Sequence, residues 1–591
     1  MKHGIAFPEH IKTEKIRRLR FQESDVSSMR VLLPLFFLIG LVILFVLRLS
    51  YLQLLKGNYY RDLSDANRTR TKIIHAPRGV IFDRNGAPLV FNLPGFRQMK
   101  GDKSIVLSKD EALSRLAQGA RNIEVDSLRQ YPDKEAIGHI LGYIGQITIN
   151  ELSDRRFSSY EQTDWIGKDG IEKTYEDELR GVNGKELIEV DAMGKEIRQL
   201  GRTDAIPGKD LTLSVDKPLQ LAVYAAMRGV KKGAAIVSTP QGEILALVSK
   251  PSFDPNLFTL DASYKPQDEY GSVDAILNDD TGQPLLNRAI GGMYPPGSTF
   301  KLVTAAAGLE TNVINERYTI NDTGILHVGD FSFANWYFTD YGRTDGEVDV
   351  VKAIRRSNDI FFYKVGNLLG VDKLSAFARK FGLGGRLGID LEGEAEGLIP
   401  TKAWKQKTFG ENWYLGDDYH YGIGQGYVLT TPLQVNSWTA TIANGGILYQ
   451  PHLLQNQKSK IKNQKFLSEK SVSLIRQGMV EACSPGGVAW PLFDFKVKNE
   501  KLLVDGRNIF DAPQATTSAN FKDYRHVVIA CKTGTAQHGG EDTKPHAWIT
   551  LFAPAYNPQI VVTVLSEESG EGSSVAGPIA KKILEAWFGK R

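Results

Sequence analysis

The sequence predicts a mixed chain of α+β/α/β class in three parts: an N-terminal membrane helix, an elongated pedestal, and a C-terminal domain with a five-stranded antiparallel sheet between helices. Three observations predict it. Residues Val31 to Leu47 form an apolar run interrupted only by Pro34 and Gly40. From there to about residue 205 the chain is charged and punctuated by glycine. Beyond Leu211, strand-like segments gather at both ends of the remaining chain, with helical and loop-rich sequence between them.

The apolar run is near the lower length limit of a membrane span, and Leu49, Tyr51, Leu52 and Leu54 extend it towards the interface. A cleaved signal peptide would need a shorter apolar core and a small-x-small cleavage site, which Arg48-Leu49-Ser50-Tyr51-Leu52-Gln53 does not offer. Residues 31–50 are therefore read as an uncleaved anchor behind a tail of residues 1–30. Seven Lys and Arg residues precede Val31, but Arg48, Lys56, Arg61, Arg68 and Arg70 follow closely, so flanking charge does not orient the span.

The pedestal, residues 51–205, contains Ala76-Pro77-Arg78-Gly79-Val80-Ile81-Phe82-Asp83-Arg84-Asn85-Gly86, a short strand entering an Asn-Gly turn. It also contains Gly167-Lys168-Asp169-Gly170-Ile171-Glu172-Lys173-Thr174-Tyr175. Structural glycines and buried ion pairs account for both. In the domain 206–591, Leu211 to Asp216 leads into an amphipathic helix carrying Leu219, Leu221, Val223 and Met227. Ala234–Ser238 and Glu243–Val248 flank Thr239-Pro240-Gln241-Gly242 and read as a hairpin. Later strands are expected at Val527–Thr533, Ala547–Ala553 and Ile560–Leu565, with a final helix from about Val575 to Trp587. Two early and three late strands predict one antiparallel sheet built from both ends of the domain.

A chain of 591 residues exceeds a single core. A net charge of +4 recommends no nucleic-acid surface, and 42% hydrophobic with 10% aromatic residues fits folded domains. Cys483 and Cys531 have neither Cys-x-x-Cys spacing nor a histidine cluster, so no zinc site is expected. They read as two unreactive thiols, with a disulfide open but not indicated.

The chemistry-bearing segment is Tyr294-Pro295-Pro296-Gly297-Ser298-Thr299-Phe300-Lys301, followed by an almost wholly apolar run to Leu309. The Pro-Pro-Gly turn ends where a helix begins, putting Ser298 in the first turn, where unpaired N–H groups favour developing negative charge. Three residues on, Lys301 shares its face. A helix apolar all round is buried, and burial lowers the pKa of an amine, so Ser298 reads as an activated nucleophile. Ser-x-x-Lys alone is a cheap pattern; it recurs at Ser214/Lys217 and Ser459/Lys462, neither with a buried helix behind it. Lys532-Thr533-Gly534-Thr535, read as the end of a strand, offers a cation, hydroxyls and close backbone approach. Ser357-Asn358-Asp359 opens an apolar helix and alone would be a plain N-cap by Ser357 or Asp359.

Together and in this order, Ser-x-x-Lys, the Ser-Asn-Asp triplet and Lys-Thr-Gly carry the signature of the penicillin-binding protein and β-lactamase superfamily. Asn287-Arg288-Ala289, Gly422-Ile423-Gly424-Gln425-Gly426-Tyr427, Thr430-Thr431-Pro432-Leu433-Gln434 and Lys532-Thr533-Gly534-Thr535-Ala536-Gln537 narrow it. With the anchor and the Arg78-Gly79 segment, nearly everything after residue 30 resembles the class B penicillin-binding proteins, specifically the elongation-specific peptidoglycan D,D-transpeptidases. The middle motif departs from the usual Ser-x-Asn in ending on Asp359; a register shift would make Asn358 the functional amide.

The resemblance implies a dimerisation-like pedestal and a β-lactamase-like catalytic domain. It implies that Lys301 takes the Ser298 proton, Ser298 attacks a stem peptide ending in D-Ala-D-Ala, and N–H groups of Ser298 and Thr535 form the oxyanion hole. Ser357 would relay the proton with Asp359 orienting it. Lys532 would supply positive potential, and Thr533, Gly534, Thr535 and Asn358 would line the substrate site. No metal or organic cofactor is implied. The implied partners are peptidoglycan stem peptides, β-lactams, the cytoplasmic membrane and a membrane glycosyltransferase of the elongation machinery. The substrate's location would put the N-terminus inside and everything after Arg48 outside. A division-specific relative, a penicillin-binding scaffold and a D,D-carboxypeptidase side activity remain the alternatives.

Overall fold

A computed structural model describes residues 28–100, 103–120, 123–191, 193, 195–260, 264–266, 269–455, 460–498, 524–540 and 543–589. The chain divides into two compact units, residues 1–74 with 185–203, and residues 75–184 with 204–591. In the first, helix α1 (Ser28–Ser50) runs on through a π-helical stretch, Tyr51–Leu55. Leu32–Leu55 is long and apolar enough to cross a membrane, and none of it is buried against protein. Strands Thr69–Ile74, Gly184–Val190 and Glu196–Thr203 form a small sheet, where Glu189 pairs with Arg68 and Arg198.

In the second unit, Ile81–Phe82 turns through Asn85-Gly86 into the long strand Pro88–Lys100. Asp83 closes that turn by accepting from the N–H groups of Asn85 and Ala87. Arg78 is held by Glu172 and Glu176, and Arg129 bonds the other Glu172 oxygen at 2.7 Å. A Cβ on Gly79 would lie 1.9 Å from the Lys209 carbonyl oxygen, so this position accepts no side chain. The two pedestal motifs are thus one buried ion cluster with the close backbone approaches that let it form. A buried carboxylate needs such partners, because desolvating it alone is prohibitive.

Helix α2 (Lys217–Ala226) is capped by Asp216 and buries Leu219, Val223 and the adjoining Met227, while Leu221 is exposed. The sheet of the C-terminal part comprises β1 (Gly233–Ser238), β2 (Ile244–Lys250), β3 (Ala530–Ala536), β4 (His546–Ala553) and β5 (Ile560–Ser566). Its order is β2-β1-β5-β4-β3, antiparallel throughout and built from both ends of the domain. Period-two alternation serves two cores. Val562 and Val564 pack with Leu219, Val223 and the C-terminal helix, and Val561 and Leu565 with the helices on the other face.

One boundary differs from expectation. The apolar residues Val527 to Ile529 precede β3 rather than form it; Val527 donates to Phe495 O and Val528 accepts from Ala555. Ladder pairing with β4 runs from Ala530 to Ala536, so Lys532-Thr533-Gly534 lies mid-strand on a sheet edge. Hydrophobicity marked what is buried, whereas pairing marks what is strand.

The cysteines also differ from expectation. Cys483 and Cys531 form a disulfide, with Cα atoms 5.9 Å apart, joining the C-cap of helix Glu469–Ala482 to β3 one residue before Lys532. Sequence spacing could not show that the two Cα atoms meet within bridging distance. Residues 499–523 lie outside the described residues.

Candidate active site

Ser298 lies in a 3-10 turn, Gly297–Phe300, that runs into the buried helix α3 (Lys301–Glu310). A 3-10 turn eclipses positions i and i+3, which aligns Ser298 with Lys301 more tightly than the expected α-turn would. Gly297 enables the turn with φ 52°, and its N–H donates to Gly424 O at 2.9 Å. A Cβ there would stand 3.0 Å from Thr535 O, so the nucleophile turn lies directly against β3. Ser298 is half-buried and Lys301 fully buried.

The three motifs meet at Ser357, which both Lys301 and Lys532 contact. Lys301 Nζ donates to Asp359 Oδ1 and to Ser357 O, both at 2.7 Å, and lies 3.3 Å from Ser357 Oγ. Lys532 Nζ donates to Ser357 Oγ and to Thr533 O, each at 2.8 Å. Ser357 reaches both lysines because it occupies a left-handed conformation, φ 54°, between helices α4 (Val350–Arg356) and α5 (Asp359–Lys380). A non-glycine residue in that region is strained, and such strain gathers at functional sites.

Two buried lysines face one carboxylate. Burial pulls the Lys301 amine below its ordinary value, opposed by the Asp359 charge. Lys532 is pushed well below its ordinary value by burial and then by the Lys301 charge. Desolvation disfavours the ammonium form at both lysines, and like-charge repulsion adds to it at Lys532.

Of the remaining expected residues, Thr533 and Gly534 are buried in β3 and Thr535 is exposed on it. Gly534 lets the strand pack closely: a Cβ would meet Thr299 Cγ2 at 3.0 Å and Trp548 Cβ at 3.2 Å. Asp359, expected to orient Ser357, instead bonds Lys301 through Oδ1 and accepts from the Trp336 N–H at 3.0 Å through Oδ2.

Asn358 does not join the group. Its side chain caps α5 by accepting from Phe361 N–H, and both its N–H donors go to Asp322 and Asp345. Asn358 is fully buried, with both N–H donors and one lone pair of its amide oxygen engaged there rather than at Lys301.

Among the decoys, Ser214 Oγ donates to Ile244 O and Lys217 Nζ contacts Asp133, two separate structural tasks. Ser459 lies outside the described residues. Asp322, Asn335 and Trp336, which hold the Asp359 region, sit in no motif and left no signal in the sequence.

The chain belongs to the penicillin-binding protein transpeptidase family: the model of the penicillin-binding protein transpeptidase domain matches residues 233–585, and that of the penicillin-binding protein dimerisation domain residues 109–213. Within it, the chain is 32% identical to the peptidoglycan D,D-transpeptidase MrdA of Acinetobacter baumannii, over 94% of this chain and 87% of the relative. Penicillin-binding protein PBP2 of Helicobacter pylori, solved in complex with MreC, matches with TM-score 0.70 and 29% identity, over 88% of this chain and 99% of that one. A chain solved in a study of polymerisation and cross-linking by a peptidoglycan synthase complex matches with TM-score 0.68 and 29% identity, covering 96% and 99%.

Proposed function

We propose that the chain is a peptidoglycan D,D-transpeptidase that cross-links stem peptides during cell elongation. The observation that carries this reading is the closed cluster of Lys301, Ser357, Lys532 and Asp359 behind the Ser298 turn. A neutral Lys301 has two N–H bonds and one lone pair. Its contacts at 2.7 Å to Asp359 and Ser357 O use both N–H bonds, which leaves the lone pair for a hydroxyl proton.

Lys301 takes the Ser298 proton as Ser298 Oγ attacks the penultimate D-alanyl carbonyl. The N–H groups of Ser298 and of Thr535 on the sheet edge stabilise the oxyanion, each such donor contributing about 3–4 kcal/mol. Ser357 Oγ accepts from Lys532 and lies near Lys301, so it passes the proton to the departing D-alanine nitrogen as the peptide bond breaks. An amine of a second stem peptide then attacks the acyl-Ser298 ester, forming the cross-link and returning the proton to serine. Thr533 and Thr535 hold the donor's terminal carboxylate, and a β-lactam acylates the same Ser298.

In this reading residues 1–30 are cytoplasmic, 31–50 anchor a single-pass protein, 51–205 form the pedestal and 206–591 catalyse outside the membrane. The Cys483–Cys531 disulfide supports that orientation, because such bridges persist in oxidising compartments. The MreC-bound and synthase-complex neighbours support partners in the elongation machinery; in this reading anchor and pedestal dock onto a membrane glycosyltransferase.

Labelling membranes with a fluorescent penicillin tests the reading. A 65.6 kDa band in the wild type that is lost in Ser298→Ala is expected. An unlabelled, folded and exported wild type would overturn it in favour of a scaffold.

A further inference from the structure

Beside the Lys301–Asp359 pair lies a buried polar knot outside the three motifs. Asp322, nearly fully buried, ends the short strand Ile320–Asp322. Its Oδ2 accepts from Asn335 Nδ2 at 2.9 Å, from Asn358 Nδ2 at 2.9 Å and from the Asp345 N–H at 3.0 Å. Its Oδ1 accepts from the Gly324 N–H at 2.8 Å. Asn335 is fully buried, and its amide oxygen accepts from the Asp359 N–H at 3.1 Å. The next residue, Trp336, donates its N–H to Asp359 Oδ2 and its indole N–H to Arg356 O, both at 3.0 Å. Two consecutive residues therefore grip Asp359 at its backbone and at its carboxylate, and the first of them hangs on Asp322.

A knot that only stabilised its own loop would have no need to end on the second oxygen of the carboxylate that holds Lys301. Charge-assisted bonds to a carboxylate are strong, and a fully satisfied buried network is rigid. We propose that Asp322 and Asn335 are positioning residues for the reaction: they fix Asp359, and through it the place and proton affinity of Lys301. This rests on the reading of Lys301 as the base for Ser298.

The charged groups facing Lys301 Nζ are Asp359 from α5 and Lys532 from β3; behind them, Asp345 is paired with Arg356. An opposite charge favours the ammonium, so a loosened Asp359 lowers the pH at which Lys301 gives up its proton. The test is the second-order rate of acylation by a fluorescent penicillin against pH, on full-length protein, for wild type, Asn335→Ala, Asp322→Asn and the double variant, with thermal unfolding beside it. Folded single variants should acylate about tenfold more slowly on the plateau. Their acidic limb should move down by about half a pH unit. The double variant should be no slower than the slower single, because both act along one chain of bonds.

Folded variants that keep the wild-type limb, with a plateau falling only in step with the folded fraction, would overturn the proposal. Asn335→Ala decides alone if Asp322→Asn does not fold. Normal labelling of the wild type beside unaffected variants refutes this inference only, whereas an unlabelled wild type refutes the underlying reading and this inference with it.

Discussion

At Gly534 the active-site strand and the nucleophile turn touch without an intervening side chain. Gly534→Val would drive methyl groups into Thr299 and Trp548, so it should destabilise the protein by about 1–3 kcal/mol and slow penicillin acylation by displacing β3 from Ser298. Thermal unfolding and acylation rates measured together check both effects; wild-type values for both would show that the strand yields without cost. Ser298 and Lys301 were legible because everything defining them is local: a Pro-Pro-Gly turn and an apolar helix. The choice between Asn358 and Asp359 stayed open in the sequence because neighbouring positions after the left-handed Ser357 point to different sides, a distinction three letters do not hold. Asp322 and Asn335 were invisible for another reason. Their bonds reach 36 and 24 residues along the chain, a spacing with no sequence signature.

Short elements carry much of the packing between the pedestal segment and the sheet. The single-turn helix Gly138–Leu141 buries His139, whose Nε2 donates to Pro284 O at 2.9 Å beside the Phe253 ring. Burial lowers the His139 pKa to about 4. The unfolded chain takes up that proton near pH 6.5 while the folded one resists it, so stability falls as pH drops from about 6.5 towards 4. The loss should be on the order of 3 kcal/mol at the acid end. Chemical unfolding of wild type and His139→Gln at several pH values tests this; parallel acid slopes would exclude His139 as the cause. Nothing in the composition around His139 announced this role. The five strands, by contrast, were readable from their β-branched runs and turn residues, with errors at the ends, where irregular partners such as Phe495 and Ala555 replace the ladder.

For the molecule as a whole, the order of parts was legible because each has its own composition: an apolar run, a charged glycine-rich stretch, then alternating strands and helices. The orientation was not, since basic residues flank the span on both sides. The disulfide supplies a check on both stability and side. Closing a loop between residues 48 apart, it should contribute about 4 kcal/mol in the chain-entropy account. Cys483→Ala and Cys531→Ala should each lower thermal stability, and reduction of the wild type should do the same; two free thiols in the protein isolated from membranes under non-reducing conditions would contradict it.

The bridge also gives the strand bearing Lys532 a history. On the proposed orientation its two sulfurs cross the membrane as thiols and join only in an oxidising medium, so each new molecule begins its life with an unfastened catalytic strand. How quickly a growing cell gains cross-linking capacity would then depend on thiol oxidation outside the membrane as well as on synthesis and export.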